Sequence, residues 1–313
     1  MTSRPTALVF AIALATAAVA QEPARFEPGH RVLLDAHNAY PYEGHWADRI
    51  NRALATGTPL AVEQDLVWHP SAYSIVSHGE PFTGQEPTLR DFFERIRPIV
   101  EGALNGRDRV QWPLITLNLD FKDSQPEHFA AIWRVLGDYE GWLTTAVRGA
   151  DAGAIQPLDV GPVLVLTGAN PAQQIAFHDE VPVGSRLRLF GAVQPGALRA
   201  TNYHRWSNHA WSDVEPEGQS NAGDWTREDD ERLRKLVDTA HQAGLWIRFY
   251  TLNGHSIEDG KRMGWSPTYN FGSIEAARRR WRAAIAAGVD FIATDQYEEL
   301  KKGTGIPSPF SFR

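Results

Sequence analysis

Apolar runs of strand length alternate with stretches of helical spacing along most of this chain. Residues 31–38 (RVLLDAHN) are an apolar run that ends abruptly in polar side chains. Residues 46–56 follow, with Trp46, Ile50, Ala53 and Leu54 at helical spacing before Gly57. Residues 59–68 and 74–77 read as two short strands joined by a turn. Leu89, Phe92, Phe93, Ile96, Ile99, Val100 and Leu104 recur at i, i+3, i+4 and predict a helix over 88–104. Thr88 is its expected cap and Pro98 its expected kink. A strand over 112–122 (WPLITLNLDFK), a helix over 126–143 and a buried strand over 161–167 (GPVLVLT) come next, and Pro171 opens a short helix. Residues 186–193 predict a further strand, and 202–211 (NYHRWSNHAW) a strand end with its loop. A helix over 226–243 stops at Gly244, a strand spans 245–253 (LWIRFYTLN), a helix over 273–287 stops at Gly288, and 290–295 (DFIATD) is the last strand.

Strands that alternate with helices imply a parallel sheet with helical crossovers. About eight such strands within one domain's length point to a closed (β/α)8 TIM barrel, of class α/β. No compositional shift splits the chain, so residues 21–302 are expected to form a single domain, followed by a Pro-bearing tail over 303–313.

Composition adds bounds to this picture. Arg4, an apolar run over 7–17 and Ala18-Val19-Ala20 predict a signal peptide over 1–20, hence a periplasmic or secreted protein. The run is too short for a permanent span. The chain has no cysteine, which removes disulfides, thiolate metal sites and Cys nucleophiles. A net charge of −7 argues against nucleic acid or an anionic membrane surface as the main partner. A monomer is expected. Of the 11 Trp, most are expected in the core or as loop anchors; Trp206 is a candidate for a substrate platform.

In barrels of this kind the chemistry sits at the C-terminal ends of the strands. Those ends offer His37 and Asn38, Glu63 and Asp65, His78, then Asp120 and Lys122, and later Asn170, Asn202 or His204, Thr251, Asn253 and Asp295. Residues two apart on a strand share a side, so Glu63 and Asp65 present their oxygens together, and Asp120 and Lys122 do likewise. Clustered carboxylates raise one another's pKa unless a cation sits among them. Glu63, Asp65 and Asp120 make an oxygen-rich set suited to Mg²⁺ or Ca²⁺.

On these residues the chain resembles the phospholipase-C-like phosphodiesterase superfamily, which includes glycerophosphodiester phosphodiesterases and sphingomyelinase D enzymes. His37 resembles the first catalytic His, Glu63-x-Asp65 the metal pair, and His78-Gly79 the second catalytic His. Leu117–Lys122 (LNLDFK) resembles the strand with the third ligand and a Lys, Thr251-Leu252-Asn253 the Trp-Thr-x-Asn strand, and 288–295 the closing segment. The start, His37-Asn38-Ala39, differs from the His-Arg-Gly of glycerophosphodiesterases, so an Arg clamp is missing there. The resemblance implies a divalent metal on Glu63, Asp65 and Asp120, acid/base roles for His37 and His78, and a phosphate contact for Lys122. It also implies substrate contacts from Asn38 and Asn253, and a small phosphodiester or phospholipid substrate. In the resembled families a neighbouring substrate hydroxyl can attack, leaving a cyclic phosphate.

Two other readings compete. A barrel glycoside hydrolase accounts for the Trp content, but it needs two opposed carboxylates rather than a cluster. A non-catalytic barrel binding lipid or sugar would not require the histidine pair. His45 and Glu43 are expected in a loop, as are His204 and His209, while Trp211 and Trp225 are expected to anchor loops.

Overall fold

The computed structural model describes residues 26–41, 48–106, 109–194, 196, 198–263 and 266–304. The expected leader, Glu43, His45, Trp46 and almost all of the 303–313 tail lie outside the described residues.

Eight parallel strands close on themselves: β1 (Leu33–Ala36), β2 (Leu60–His69), β3 (Ile115–Phe121), β4 (Val163–Thr167), β5 (Phe190–Ala192), β6 (His204–Ala210), β7 (Trp246–Tyr250) and β8 (Phe291–Thr294). β1 pairs with both β8 and β2, which completes a TIM barrel in a single domain. Helices α1 (Arg49–Ala55), α2 (Leu89–Asn105), α3 (Pro126–Asp138), α4 (Pro171–Gln174), α5 (Arg227–Gln242), α6 (Ile257–Met263), α7 (Ile274–Ala287) and α8 (Tyr297–Thr304) complete the described framework. No helix among the described residues is long and apolar enough to cross a membrane.

The period of two along each strand builds two cores. Outward residues such as Leu34, Val62, Leu117, Val165, Ile247 and Ile292 pack beneath the helices. Inward residues Leu33, Ala61, Leu164, Phe190, Trp206, Trp246 and Phe291 fill the lower barrel, and Phe26 packs against Trp246 at a tilt, with ring centroids 4.7 Å apart. Above this apolar layer the inward positions turn polar, so the barrel's interior itself leads to the candidate site. α2 begins where Thr88 and Asp91 form a reciprocal capping box, and it runs through Pro98 without ending. α7 stops where Gly288 adopts φ 82°, a left-handed conformation that Gly takes without a Cβ penalty.

The structure corrects several expectations. The run 186–193 is two elements: Arg186–Leu187 pairs with Thr145–Val147 in a small antiparallel sheet, and only Phe190–Ala192 joins the barrel. Residues 204–210 form a full stave, so His204 and His209 lie in a strand rather than a loop. Asn202 and His204 consequently sit at its N-terminal end, away from the rim. Asn202 is buried there, accepting from the Gly149 N–H and donating to the Val147 carbonyl. The segment before His78, Tyr73–Val76, is no stave either; it returns antiparallel on β2 as a hairpin. α3 ends at Asp138 and a 3₁₀ turn follows, while α6 and α8 were not anticipated. Trp211 is fully buried, with its indole N–H on Glu215, and it stacks on Trp225, which makes both rings anchors.

Candidate active site

Register brings the carboxylates together. β2 and β3 run in parallel with Glu63 opposite Asn118 and Asp65 opposite Asp120. All four side chains therefore point into the barrel mouth. Carboxylate oxygens of Glu63, Asp65 and Asp120 lie within 4.8 Å of one another. Glu63 and Asp65 are buried, whereas Asp120 is about half-exposed at the rim. The Lys122 ammonium lies 2.8 Å from Asp65 Oδ2 and 2.7 Å from Asp120 Oδ2. The Tyr40 hydroxyl donates to Asp65 Oδ2 at 2.7 Å. The other Asp65 oxygen, Oδ1, is buried with no hydrogen-bond partner.

His37 follows β1 and is held from several sides. Its Nδ1 is 3.0 Å from Asp295 Oδ1, and its Nε2 faces Glu63 Oε2 at 3.4 Å. A carboxylate only accepts, so Nδ1 carries a proton. Arg49 at the start of α1 pairs with Asp295 and donates to the His37 carbonyl, which also accepts from the Tyr297 hydroxyl of α8. The Asn253 amide is engaged by the same carboxylate: its Nδ2 donates to Asp295 Oδ2, and its Oδ1 accepts from the Asp295 N–H and the Thr294 hydroxyl. In the structure, then, Asn253 both positions Asp295 and lines the mouth. Asn38 takes φ 48°, a region Asn tolerates, and its N–H points to Glu63 Oε2 at 3.4 Å.

Three site residues within the strands, Arg248, Asp35 and Asn118, were missed in the sequence. Arg248 on β7 is buried between Asp35 and Glu63; its Nε pairs with Asp35 Oδ2, and an Nη is 3.2 Å from Glu63 Oε1. Asn118 reaches Glu63 Oε1 at 3.5 Å. All three side chains sit inside strands that read as apolar. The usable signal was an arginine or aspartate in a strand interior, since such groups are almost never buried unpaired.

These residues open into a cavity of about 480 Å³ at the C-terminal mouth, lined by His37, Glu63, His78, Asp120, Lys122 and Arg248 among others. His78 is exposed at the mouth. Trp206 lies on the floor at 1% exposure, with its indole N–H on the Thr167 carbonyl, so it is a base to the cavity and not an open platform. Asn170, offered by the rim of β4, caps α4 and donates to Ser124 Oγ. A larger groove between α3 and α4 on the outer wall contains no carboxylate cluster.

The charges tune one another. Burial pushes Asp65 up, and the negative Glu63 beside it adds to this, to about 7. Burial would also raise Glu63, but Arg248, His37 and Lys122 prevail and hold it below the ordinary range. For His37, burial lowers the pKa, yet Asp295 and Glu63 outweigh it and the imidazolium is favoured. Asp295 is held well below the carboxylate range, since His37 and Arg49 overcome its burial. A site with three converging carboxylates, one orphaned buried oxygen and one pKa driven up by burial and a neighbouring carboxylate fits a hard divalent cation.

The Arg49–Asp295 pair is almost wholly buried, with side-chain exposures of 2% and 1%. Arg49→Met is expected to destabilise the fold by about 3–5 kcal/mol, because it leaves a buried carboxylate with one partner fewer. Urea unfolding measures this; a midpoint shift too small for 1 kcal/mol would show that Arg49 is not what stabilises Asp295.

No protein-family model matches the chain, and no curated protein matches its sequence. Solved structures do match its fold. A glycerophosphoryl diester phosphodiesterase from Parabacteroides distasonis superposes with a TM-score of 0.52 at 12% identity, over 92% of this chain and 91% of that one. A second glycerophosphodiester phosphodiesterase from the same organism gives a TM-score of 0.50 at 12% identity, over 87% of this chain and 96% of that one. The chain thus has the barrel of the glycerophosphodiester phosphodiesterases at high coverage and low identity, a likeness of fold.

Proposed function

We propose that this protein is an exported, metal-dependent phosphodiesterase acting on a phosphodiester such as a glycerophosphodiester or a phospholipid head group. One observation carries the reading: Glu63, Asp65 and Asp120 converge in a cavity that also presents His37, His78, Lys122 and Arg248. Export rests on the leader pattern of residues 1–20.

Glu63, Asp65 and Asp120 would hold Mg²⁺ or Ca²⁺, which when bound would draw charge off the phosphate oxygens. Lys122 and Arg248 add fixed positive charge to the same cavity, and Arg248 supplies from β7 the guanidinium that His37-Asn38-Ala39 lacks. Asp295 keeps the proton on His37 Nδ1 and leaves Nε2 toward the mouth. His37 and His78 exchange protons with the attacking and leaving oxygens, one as base and one as acid. The attacker is water or a hydroxyl of the substrate itself. The apolar, Trp206-based floor excludes water from below. Glu63 and Asp65 share one strand side, which argues against the opposed carboxylates of a glycosidase.

The test sets a chromogenic phosphodiester against chromogenic glycosides. Turnover of the phosphodiester alone is expected, and turnover of a glycoside alone would replace this reading.

A further inference from the structure

Asp123, His128 and Ser74 form a hydrogen-bonded chain outside the carboxylate cluster. His128 Nδ1 lies 3.0 Å from both oxygens of Asp123, and its Nε2 is 2.8 Å from Ser74 Oγ. Because Asp123 accepts only, Nδ1 bears the proton and Nε2 accepts from the serine hydroxyl. Burial lowers the His128 pKa, in keeping with this neutral form. The order Ser–His–Asp is also that of a nucleophile with its base. Here, however, the imidazole is fully buried, with Trp68 and Phe121 against it at ring-centroid distances of 5.5 and 5.0 Å. A base so enclosed has no route to a substrate, and the chain acts instead as a strut.

What it supports is specific. The β2–β3 ladder ends at Leu66 and Phe121, with one more bond from the Lys122 N–H to the Leu66 carbonyl. Beyond that point β2 overhangs the barrel and pairs only with its return strand, Tyr73–Val76. Asp123 replaces the missing ladder by accepting the Trp68 N–H at 2.7 Å. His128, from the first turn of α3, then ties Asp123 to Ser74 on the return strand. Ser74 lies four residues before His78, and Asp123 directly follows Lys122. One buried imidazole therefore links the segment that delivers His78 to the segment that delivers Asp120 and Lys122.

We infer that His128, through Ser74 and Asp123, is a positioning residue that sets His78 relative to Lys122 across the cavity mouth. This rests on the phosphodiesterase reading for its kinetic arm, and the spectroscopic arm stands without it. Ser74→Ala is the main variant, since the site is partly exposed and small. It is expected to lower kcat on the phosphodiester by roughly 10–100-fold, the scale of a misplaced catalytic group, with KM little changed. Ser74→Thr, which keeps the hydroxyl, should restore most of the rate. In a His78→Ala background Ser74→Ala should cost nothing further, because the strut acts only through His78. His128→Phe, which fills the volume and severs the chain, should reproduce the loss if it folds. In the second arm, ¹⁵N-histidine NMR should show the His78 ring signals of Ser74→Ala shifted or broadened against wild type. Unchanged His78 signals, or a Ser74→Ala loss that adds fully to His78→Ala, would overturn the strut. Labelling of Ser74 by a fluorophosphonate would overturn it in favour of a nucleophile. If wild type turns over no phosphodiester, the functional reading fails, while the NMR arm still decides this one.

Discussion

Chelation is expected to abolish phosphodiester turnover, and add-back of Mg²⁺ or Ca²⁺ to restore it. The argument begins with crowding. Glu63 and Asp65 are buried, Asp120 lies within 4.8 Å of them, and burial together with the Glu63 carboxylate pushes the pKa of Asp65 up to about 7. Its Oδ1 has no partner although it is buried, and an unmet buried charge is costly. A divalent ion satisfies both deficits, and oxygen donors without thiolates favour a hard one. Glu63→Gln keeps the shape and removes a charge. It should weaken metal affinity by more than the roughly 10–100-fold that changes outside the ligand shell cost, and activity should fall with it. Asp48→Asn, at an exposed position before α1 with no cap bond, is the control and should behave as wild type. Calorimetric titration of metal into wild type and both variants, with rates measured alongside, makes the test. Full activity in chelator, or a Glu63→Gln protein with unaltered affinity and rate, would remove the metal from the mechanism.

His37→Ala and His78→Ala should each lower kcat by about 10²–10⁴-fold, the scale of general acid–base catalysis. The two are expected to differ in what else they disturb. His78 is exposed at the mouth, so its loss should leave stability and metal affinity unchanged. His37 sits between Glu63 and Asp295. Removing it takes a favourable neighbour from both carboxylates, so metal affinity should move modestly and stability should drop. Steady-state kinetics, metal titration and urea unfolding on the two variants separate these effects. Activity retained in either variant would take that histidine out of the chemistry.

The barrel was legible because each apolar run has strand length and each intervening stretch has helical spacing. The carboxylates were legible for a related reason: a spacing of two places Glu63 with Asp65, and strand order brings Asp120 beside them. Arg248 was hidden by its neighbours. Trp246, Ile247, Phe249 and Tyr250 surround it, and a strand covered on both faces shows no alternation to reveal which way a residue points. Asp35 was hidden in the same way between Leu34 and Ala36. The 186–193 run was misread because it crosses between two sheets, and a change of partner leaves no trace in hydrophobicity. His204–Ala210 was read as no more than a strand end with its loop because its upper inward residue, Asn208, faces the polar mouth rather than the core. His78 was found as the polar end of an apolar run, while its route through a hairpin needed the antiparallel pairing to be seen.

The barrel's staves are not joined evenly. β2 and β3 share seven register pairs, whereas β1 and β2 share two, Asp35 with Ala61 and Ala36 with Val62. His37 and Asn38 lie on one side of that short joint and Glu63 on the other. The hydrogen bond from the Ala39 N–H to the Glu63 carbonyl continues the join past the ladder's end. Part of the chemistry is therefore assembled across one of the cylinder's short joints, and whatever fills the mouth acts as a clasp on it. Any parting of this joint would carry His37 and Asn38 away from Glu63, so the alignment of those groups depends on the closure of the cylinder itself.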